Sequence, residues 1–175
     1  MSRQLHLNLF LMARGHHEGA WRHPGANPKA LTDLALYVDA ARIAENAKFD
    51  AVFLADTLVG PENSQLVASG LLEPITLLTA LALKTERIGL IGTASTTYSH
   101  PYTLARQFAT LDHISKGRAG WNIVTSWAPK AGENYGLTEN VDHADRYRIA
   151  QEFVEAVDAL WRSFPASSIV DDAAS

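Results

Sequence analysis

Cysteine is absent from the 175-residue sequence, which excludes disulfides, zinc ribbons and cysteine nucleophiles together. Long apolar runs are absent as well, since no stretch approaches the ~20 apolar residues that a transmembrane helix needs. The short apolar run at residues 5–11 is interrupted by Asn8, and no convincing signal-peptide cleavage site follows it. We therefore expect a soluble, cytoplasmic protein that does not enter membranes.

An excess of positive charge is also lacking. The sequence has 15 Lys and Arg against 19 Asp and Glu, a net charge of -4, and no Lys/Arg-rich run. Nucleic acids and anionic membranes attract basic patches, so neither is an expected partner. With 47% hydrophobic residues, the chain has enough apolar material for the core of one globular domain.

The common catalytic and metal-binding signatures are missing too. None of the seven histidines stands in an HxH or HExxH spacing, so we expect no metal site. No GxSxG motif and no obvious pair of catalytic carboxylates is present, which leaves hydrolysis with little support. No GxGxxG follows the first predicted strand, and this argues against a dinucleotide-binding doubly wound sheet.

What the sequence does contain is a regular alternation of short apolar runs and helical patterns. The runs predict strands at residues 5–11, 51–56, 87–96 and 118–125. A first helix is predicted over residues 31–47, with Thr32 or Asp33 near its start. Two further helices are predicted to begin near Pro74 and Pro101, and a last helix includes residues 149–160. Residues 126–144 are predicted to form a long loop.

Four successive β-α units predict parallel strands joined by helical crossovers, in the α/β class. Such β-α units usually form either an open doubly wound sheet or a closed (β/α)8 (TIM) barrel. Polar residues at the strand ends favour the barrel, because ligands sit at the carboxyl face of its strands. A complete barrel needs ~250 residues, so we expect residues 1–175 to be the N-terminal part of a truncated barrel, roughly its first four units.

Polar side chains follow three of the predicted strands at the point where each strand ends. These residues are Asp56, Ser95 to Thr97, and Asn122 to Ser126. Helix capping or a turn is an equally good explanation for Asp56, and capping accounts for one or two of the hydroxyls. Buried polar groups need partners, and either other protein groups or a ligand would supply them.

The loop after the first predicted strand is rich in histidine and contains an aromatic residue. In a barrel this loop would overhang the ligand pocket. We therefore predict His17 and Trp21 as residues on the substrate side, and no catalytic residue is identified.

Five segments of the sequence together resemble a known family. They are WRHP at residues 21–24, KFDAVFLAD at 48–56, ASTTYSHPY at 94–102, TLDHISKGRAGWNIVTS at 110–126 and HADRY at 143–147. In this order they resemble the bacterial luciferase-like flavin monooxygenases, and within them the group of nitrilotriacetate monooxygenase component A. Dibenzothiophene-sulfone and long-chain alkane monooxygenases belong to the same group.

The resemblance implies a (β/α)8 barrel that holds FMN at its carboxyl face. It implies a two-component monooxygenase in which a separate flavin reductase supplies reduced FMN transiently. O2 and a small organic substrate of the nitrilotriacetate, sulfone or alkane type would be the other reactants. The protein's own task would be to bind and orient the reactants and to exclude water.

The resemblance also assigns cofactor contacts to particular positions. Asp56 is expected to contact the flavin, Ser126 and Trp127 to flank the flavin and its tail, and Tyr147 to reach the phosphate region. Thr96 and Asn122 follow from their strand positions.

Two alternatives to this function stay open. One is an inactive half-barrel fragment that only associates with itself, because half a barrel leaves unpaired strand edges and an exposed core face. The other is a deazaflavin-dependent oxidoreductase on the same barrel. A homo-oligomer is expected in either case, and the substrate is not identified by the sequence.

Overall fold

The computed structural model describes residues 4–17, 19–59, 72–126, 128–139 and 141–173. Within these ranges, four strands alternate with four helices. The strands are β1 (Asn8–Phe10), β2 (Ala51–Leu54), β3 (Gly89–Ser95) and β4 (Ala119–Val124). The helices are α1 (Leu34–Asn46), α2 (Pro74–Ala82), α3 (Pro101–Ser115) and α4 (His143–Arg162). Short 3-10 helices cover Ala20–Arg22, Pro129–Tyr135 and Ala166–Ser168.

The four strands form one parallel sheet in the order β1-β2-β3-β4. Its register aligns Phe10 with Phe53, Phe53 with Ile91, and Ile91 with Gly120. Consecutive parallel neighbours joined by helices are the arrangement that the sequence predicts, and the structure confirms it.

Alternate residues of each strand point to opposite faces of this sheet. On β3, Leu90 and Ala94 are buried against the helices, and a Cβ placed at Gly92 would meet Leu78 of α2 at 2.8 Å. Ile91 and Thr93 point to the opposite, concave face. On the concave face, the Phe10 and Phe53 rings lie 4.9 Å apart and Phe10 is 41% exposed.

Residues with well-understood terminal preferences begin and end the helices. The carboxylates of Asp33, Glu73 and Asp142 accept backbone N–H groups at the starts of α1, α2 and α4. Proline occupies the first turn of α2 and of α3. Lys116 ends α3 in the left-handed conformation with φ of 61°.

Several details differ from the sequence prediction, among them α1, which begins at Leu34 and not at residue 31, and β2, which ends at Leu54 and not at residue 56. β1 covers residues 8–10 and not 5–11. Leu7 precedes the strand, where its backbone N–H donates to the Asp50 side chain and its carbonyl accepts the Asp50 N–H. The predicted loop over residues 126–144 contains the 3-10 helix Pro129–Tyr135. The residues of that helix show no apolar periodicity, so a pattern search has no signal for it. Helix α4 begins at His143, earlier than predicted, because Asp142 caps it.

The turn from α2 into β3 is held by a single carboxylate. Glu45 Oε1 accepts the backbone N–H groups of Glu86, Arg87 and Ile88 at 2.9, 2.6 and 3.0 Å. Burial tends to raise the pKa of Glu45, but these three hydrogen bonds and the charge of Arg87 outweigh it and lower the pKa.

The guanidinium of Arg118 reinforces the same turn from the other side. Its Nη1 donates to the Ile88 carbonyl at 2.8 Å and its Nη2 to the Ala82 carbonyl at 3.0 Å. Burial lowers the pKa of Arg118, and the charge of Glu45 partly opposes this. Together the two groups fix where β3 begins, and with it the register of the sheet.

No helix within the described ranges is long and apolar enough to cross a membrane.

We predict that Glu45→Ala destabilises the chain by about 2 kcal/mol, because three backbone donors lose a charged acceptor. Glu45→Gln should destabilise the chain less than Glu45→Ala, since its amide oxygen still accepts hydrogen bonds.

The pH dependence of stability follows from the lowered pKa of Glu45. The contribution of Glu45 to the free energy of unfolding is complete above the ordinary carboxyl pKa of about 4.3. It is lost as the pH falls through the lower pKa that Glu45 has in the folded chain. Urea unfolding monitored between pH 3 and pH 7 measures both effects.

Glu86→Ala is the matched control, because the Glu86 carboxylate is exposed and bonds only to the neighbouring Arg87 side chain among the described residues. Equal losses for Glu45→Ala and Glu86→Ala would contradict this role of Glu45.

Candidate functional site

Hydroxyl and amide side chains meet on the concave face at the carboxyl ends of β3 and β4. Asn122 Nδ2 donates to Thr93 Oγ1 at 2.9 Å, and Ser126 Oγ donates to Ser95 Oγ at 2.8 Å. Thr93 and Ser95 are 4% and 2% exposed. We call these four residues the hydroxyl cluster.

The loops that leave β3 and β4 are tied together beside the hydroxyl cluster. The Thr96 hydroxyl donates to the Val124 carbonyl at 3.2 Å, and the Thr97 hydroxyl donates to the Thr125 carbonyl at 2.6 Å. The polar groups that end β4 thus have protein partners. This answers the question that the sequence left open, because these groups do not require a ligand in order to be satisfied.

Ser126 has a φ of 46°, in the left-handed region that residues with a side chain rarely adopt. Such conformations persist where surrounding contacts hold them, and they concentrate at functional sites. Arg146 Nη1, from the first turn of α4, donates to the Ser126 carbonyl at 3.1 Å and supplies one such contact.

The guanidinium of Arg146 retains an unused donor. Its Nε is buried, and no acceptor bonds to it among the residues that the structure describes. A buried charged donor without a partner is costly, so a native structure that keeps one commonly has a further partner for it. Arg146 therefore places a cation with a free N–H beside the hydroxyl cluster.

Asp56 lies in a second group, just beyond the end of β2. Burial raises the pKa of this carboxyl, the backbone N–H of Thr57 opposes the rise, and the charge of Glu73 adds to it. The pKa of Tyr135 is also raised, first by burial and then by the charges of Asp56 and Tyr98. The charge of Asp56 therefore contributes to the raised pKa of the Tyr135 hydroxyl.

The 3-10 helix Pro129–Tyr135 reaches across to this carboxyl and holds its loop. The Tyr135 ring stacks on the Tyr98 ring with centroids 4.8 Å apart and planes 15° apart. Asn134 Nδ2 donates to the Leu58 carbonyl at 2.8 Å. Asn134 thus anchors the chain two residues after Asp56.

The other predicted site residues lie at different places on the molecule. His17 is exposed, and its Nδ1 accepts the Gly19 N–H at 3.0 Å. Trp21 is partly buried, and the guanidinium carbons of Arg14 and Arg22 lie 5.8 and 5.0 Å from the centre of its ring. Tyr147 is 59% exposed, and its ring lies 4.9 Å from the His143 ring. Trp127 lies outside the described residues.

The structure adds residues that sequence reasoning did not single out. Ser95 was one of several hydroxyls in its segment, and only the β3–β4 register identifies it as the partner of Ser126. Arg146 stands next to Tyr147 in HADRY, and its charge in a first helical turn was the signal that could have found it. Tyr98 and Tyr135 are 37 positions apart, and nothing in the sequence pairs them.

Over the described ranges, no group of three or more His, Asp or Glu side chains is arranged to hold a metal ion.

A parallel sheet with helical crossovers and polar groups at its strand carboxyl ends belongs to the α/β class and matches part of a (β/α)8 barrel. A family model described as luciferase-like monooxygenase matches residues 9–171. The chain belongs to this family of oxidoreductases, as the resemblance predicted, and its four β-α units are part of the family's barrel.

Three relatives illustrate the match. Nitrilotriacetate monooxygenase component A from Aminobacter aminovorans is 44% identical over 183 aligned positions, covering 98% of this chain and 40% of the relative. EDTA monooxygenase from Chelativorans sp. BNC1 superimposes with a TM-score of 0.89 at 37% identity, covering 98% of this chain and 42% of the other. A structure of a riboflavin lyase with modified FMN and riboflavin superimposes with a TM-score of 0.81 at 37% identity. The match covers 91% of this chain and 38% of the lyase chain. The chain thus spans about 40% of the relatives it matches.

We predict that the Asp56 carboxyl titrates above an ordinary aspartate and that Tyr135→Ala moves its pKa back down, because water then reaches the carboxyl. A 13C NMR titration of labelled aspartate side chains measures both values. Tyr102→Ala is the control, since Tyr102 is an exposed tyrosine on α3. An Asp56 pKa that is the same with and without the Tyr135 ring would show that the 3-10 helix does not shield it.

Proposed function

We propose that the protein is an FMN-dependent monooxygenase of the two-component type, and that the concave face of its sheet holds the flavin. The observation that carries this proposal is the buried Arg146 Nε, which lacks an acceptor in the described part of the chain and lies beside the Ser126 loop. A phosphate accepts several charged hydrogen bonds at once, so it can accept one from the Nε–H of Arg146. Family membership supports the same conclusion.

The residues present fit FMN. The lower part of the concave face is apolar, with Phe10, Phe53 and Ile91 in register, and the hydroxyl cluster lies above it. A flavin ring is flat and largely apolar with polar atoms along one edge, so this division matches its two parts. The riboflavin lyase relative contains a modified FMN, and this favours FMN over a deazaflavin.

Each predicted cofactor residue has a place in this proposal. Asn122 and Ser126 present polar groups to the flavin ring and its tail, and Tyr147 approaches the phosphate together with Arg146. Thr96 is 1% exposed and its hydroxyl is bound to the Val124 carbonyl, so its role is to position the loop that carries Ser126. Trp127 lies outside the described residues, and its contact with the flavin stays a prediction from the resemblance.

Asp56 holds a proton more readily than an ordinary aspartate, because burial and Glu73 raise its pKa. In this proposal the Asp56 carboxyl lies at the edge of the site and forms a hydrogen bond with a polar atom of the flavin. Nearby, the Tyr98 and Tyr135 rings stack on each other, and Asn134 anchors the chain at Leu58, two residues after Asp56.

Reduced FMN from a separate flavin reductase would supply the two electrons needed to cleave O2. One oxygen atom would be inserted into a small organic substrate and the other released as water. The chain's own contribution is to bind the cofactor, orient the substrate above the ring and exclude water. The nitrilotriacetate-, sulfone- and alkane-type substrates expected from the resemblance all remain candidates on these grounds.

We predict that Asp56→Ala and Ser126→Ala each weaken FMN binding, and that Arg146→Gln weakens binding of FMN at least tenfold while riboflavin binding changes little. Riboflavin lacks the phosphate, so the Arg146 effect should be confined to FMN. Quenching of flavin fluorescence during titration measures all four affinities.

The control is Arg148→Gln, because Arg148 lies two residues further along α4 and pairs with Asp145 and Glu152 in exposed ion pairs. Unchanged FMN affinity in both Asp56→Ala and Ser126→Ala would overturn the assignment of the flavin site. Equal effects of Arg146→Gln on FMN and riboflavin would overturn the phosphate contact.

One observation favours a second function, self-association without catalysis. β4 pairs only with β3 in the described sheet, and a cleft of about 900 Å³ beside it is lined by Trp121, Ile123, Trp161 and Phe164. Ile123 and Phe164 are 47% and 62% exposed. An exposed strand edge next to an apolar cleft favours pairing with a second copy of the chain.

We predict that the chain elutes as a dimer in size-exclusion chromatography and that Ile123→Lys shifts it to the monomer, because the new charge would be buried at the β4 edge. Ile43→Lys is the control, since Ile43 is 69% exposed on α1, away from this edge. A monomeric native chain would refute association at β4. A stable dimer that binds no FMN would favour the non-catalytic function over the monooxygenase.

A further inference from the structure

Sulfur is scarce in this chain, and one sulfur atom lies at the edge of the candidate site. The sequence has no cysteine and two methionines, Met1 and Met12. Met12 is partly buried and stands two residues after Phe10, the last residue of β1. Leu11 between them continues the pairing with β2, since its N–H donates to the Phe53 carbonyl at 2.9 Å. Met12 therefore leaves the sheet at its carboxyl end.

His16 connects the Met12 thioether with the concave face. Its Nδ1 lies 2.8 Å from Met12 Sδ, and the centre of its ring lies 6.1 Å from the centre of the Phe10 ring. A thioether sulfur accepts hydrogen bonds but has no hydrogen to donate, so Nδ1 must carry the proton in this contact. His16 thus directs an N–H at the sulfur, at the Phe10 end of the concave face.

This position of the proton distinguishes His16 from the two other histidines of its loop. His17 Nδ1 accepts the Gly19 N–H at 3.0 Å, and His23 Nδ1 accepts the Gly25 N–H at 3.1 Å. Neither Nδ1 carries a proton while it accepts. Of the three imidazoles, that of His16 is therefore the one that presents Nδ1–H to a sulfur atom.

A thioether beside an N–H donor is suited to oxidation by a peroxide. A sulfur lone pair forms a bond to one oxygen of hydrogen peroxide, and the O–O bond breaks. The departing hydroxide takes the proton of the transferred hydroxyl, so that the products are a sulfoxide and water. The sulfur loses two electrons and the peroxide gains them. A donor such as the His16 Nδ1–H stabilises the departing oxygen while its charge develops.

We propose that Met12 is a site of selective and reversible oxidation by hydrogen peroxide, that His16 assists this step, and that the sulfoxide weakens flavin binding. The sulfoxide places a polar oxygen beside the apolar part of the concave face at Phe10, and covering that oxygen with a flat apolar ring is unfavourable. The effect on flavin binding rests on the proposed monooxygenase function, in which reduced flavin and O2 yield hydrogen peroxide when no substrate is consumed.

The first test treats the 175-residue chain with hydrogen peroxide in the presence of N-acetylmethionine amide, an unstructured internal standard. Trypsin cuts after Arg3 and Arg14, so the peptide of residues 4–14 contains Met12 as its one methionine. Mass spectrometry of this peptide follows the gain of one oxygen with time. Although Met12 is partly buried, we expect its oxidation to be about threefold faster than that of the standard, because of the adjacent donor.

Variants of His16 test its part in the reaction. His16→Ala should slow the oxidation of Met12 to the rate of the standard or below it. His16→Asn should keep part of the acceleration, since the asparagine amide carries an N–H donor close to the position of Nδ1. His113→Ala is the matched control, because His113 is an exposed histidine in the last turn of α3. Oxidation slower than the standard in the unaltered chain, or equal rates with and without His16, would overturn the proposal.

Flavin titration before and after peroxide treatment tests the consequence. The FMN affinity of the oxidised chain should fall about fivefold, and methionine sulfoxide reductases should restore it. Met12→Leu has a similar volume and resists peroxide, so its affinity should survive the same treatment. Unchanged affinity of the oxidised chain, or an equal loss in Met12→Leu, would overturn the effect on flavin binding.

The two readouts separate this inference from the proposed function. A chain that binds no FMN before treatment would refute the flavin site, whereas the mass of the peptide still decides whether Met12 is oxidised selectively. A chain that binds FMN but oxidises Met12 no faster than the standard would refute the modification site alone.

Discussion

The register between β3 and β4 is the constraint on which the candidate site depends. It aligns Thr93 with Asn122 and Ser95 with Val124, so that polar side chains from two strands point to the same face at the same height. A slip of one residue would turn every one of these side chains toward the helices. The turn held by Glu45 and Arg118 sets where β3 begins, and so the chemistry at one edge of the sheet depends on hydrogen bonds at the opposite edge.

Much of the fold could be predicted from the sequence because its signals are local. Short apolar runs identify buried parallel strands, proline marks the first turns of α2 and α3, and Asp33 caps α1 as expected. The predictions were wrong where contacts between residues distant in sequence determine the local structure. β1 is shorter than its apolar run, and its register with β2 covers residues 8–10. The 3-10 helix Pro129–Tyr135 depends on contacts with Tyr98 and Leu58, which lie far away in sequence.

The candidate site could be predicted only in part. Strand ends indicated Asp56, Asn122 and Ser126, and the parallel sheet does bring the last two into one cluster with Ser95. The sequence did not show that these groups bond to one another, because side-chain pairing depends on register. Arg146 became a candidate only when its depth was known, since a buried donor without an acceptor is a property of packing and not of residue type.

We propose that the carboxyl ends of β3 and β4, together with Arg146, hold FMN. The most direct measurement is a set of NMR spectra of the labelled chain during FMN titration, with signals assigned to individual residues. Saturable shifts should appear at the backbone of residues 93–97 and 122–126 and at the Arg146 side-chain Nε–H. Shifts confined to the α3–α4 cleft, or no shift at saturating FMN, would contradict the claim.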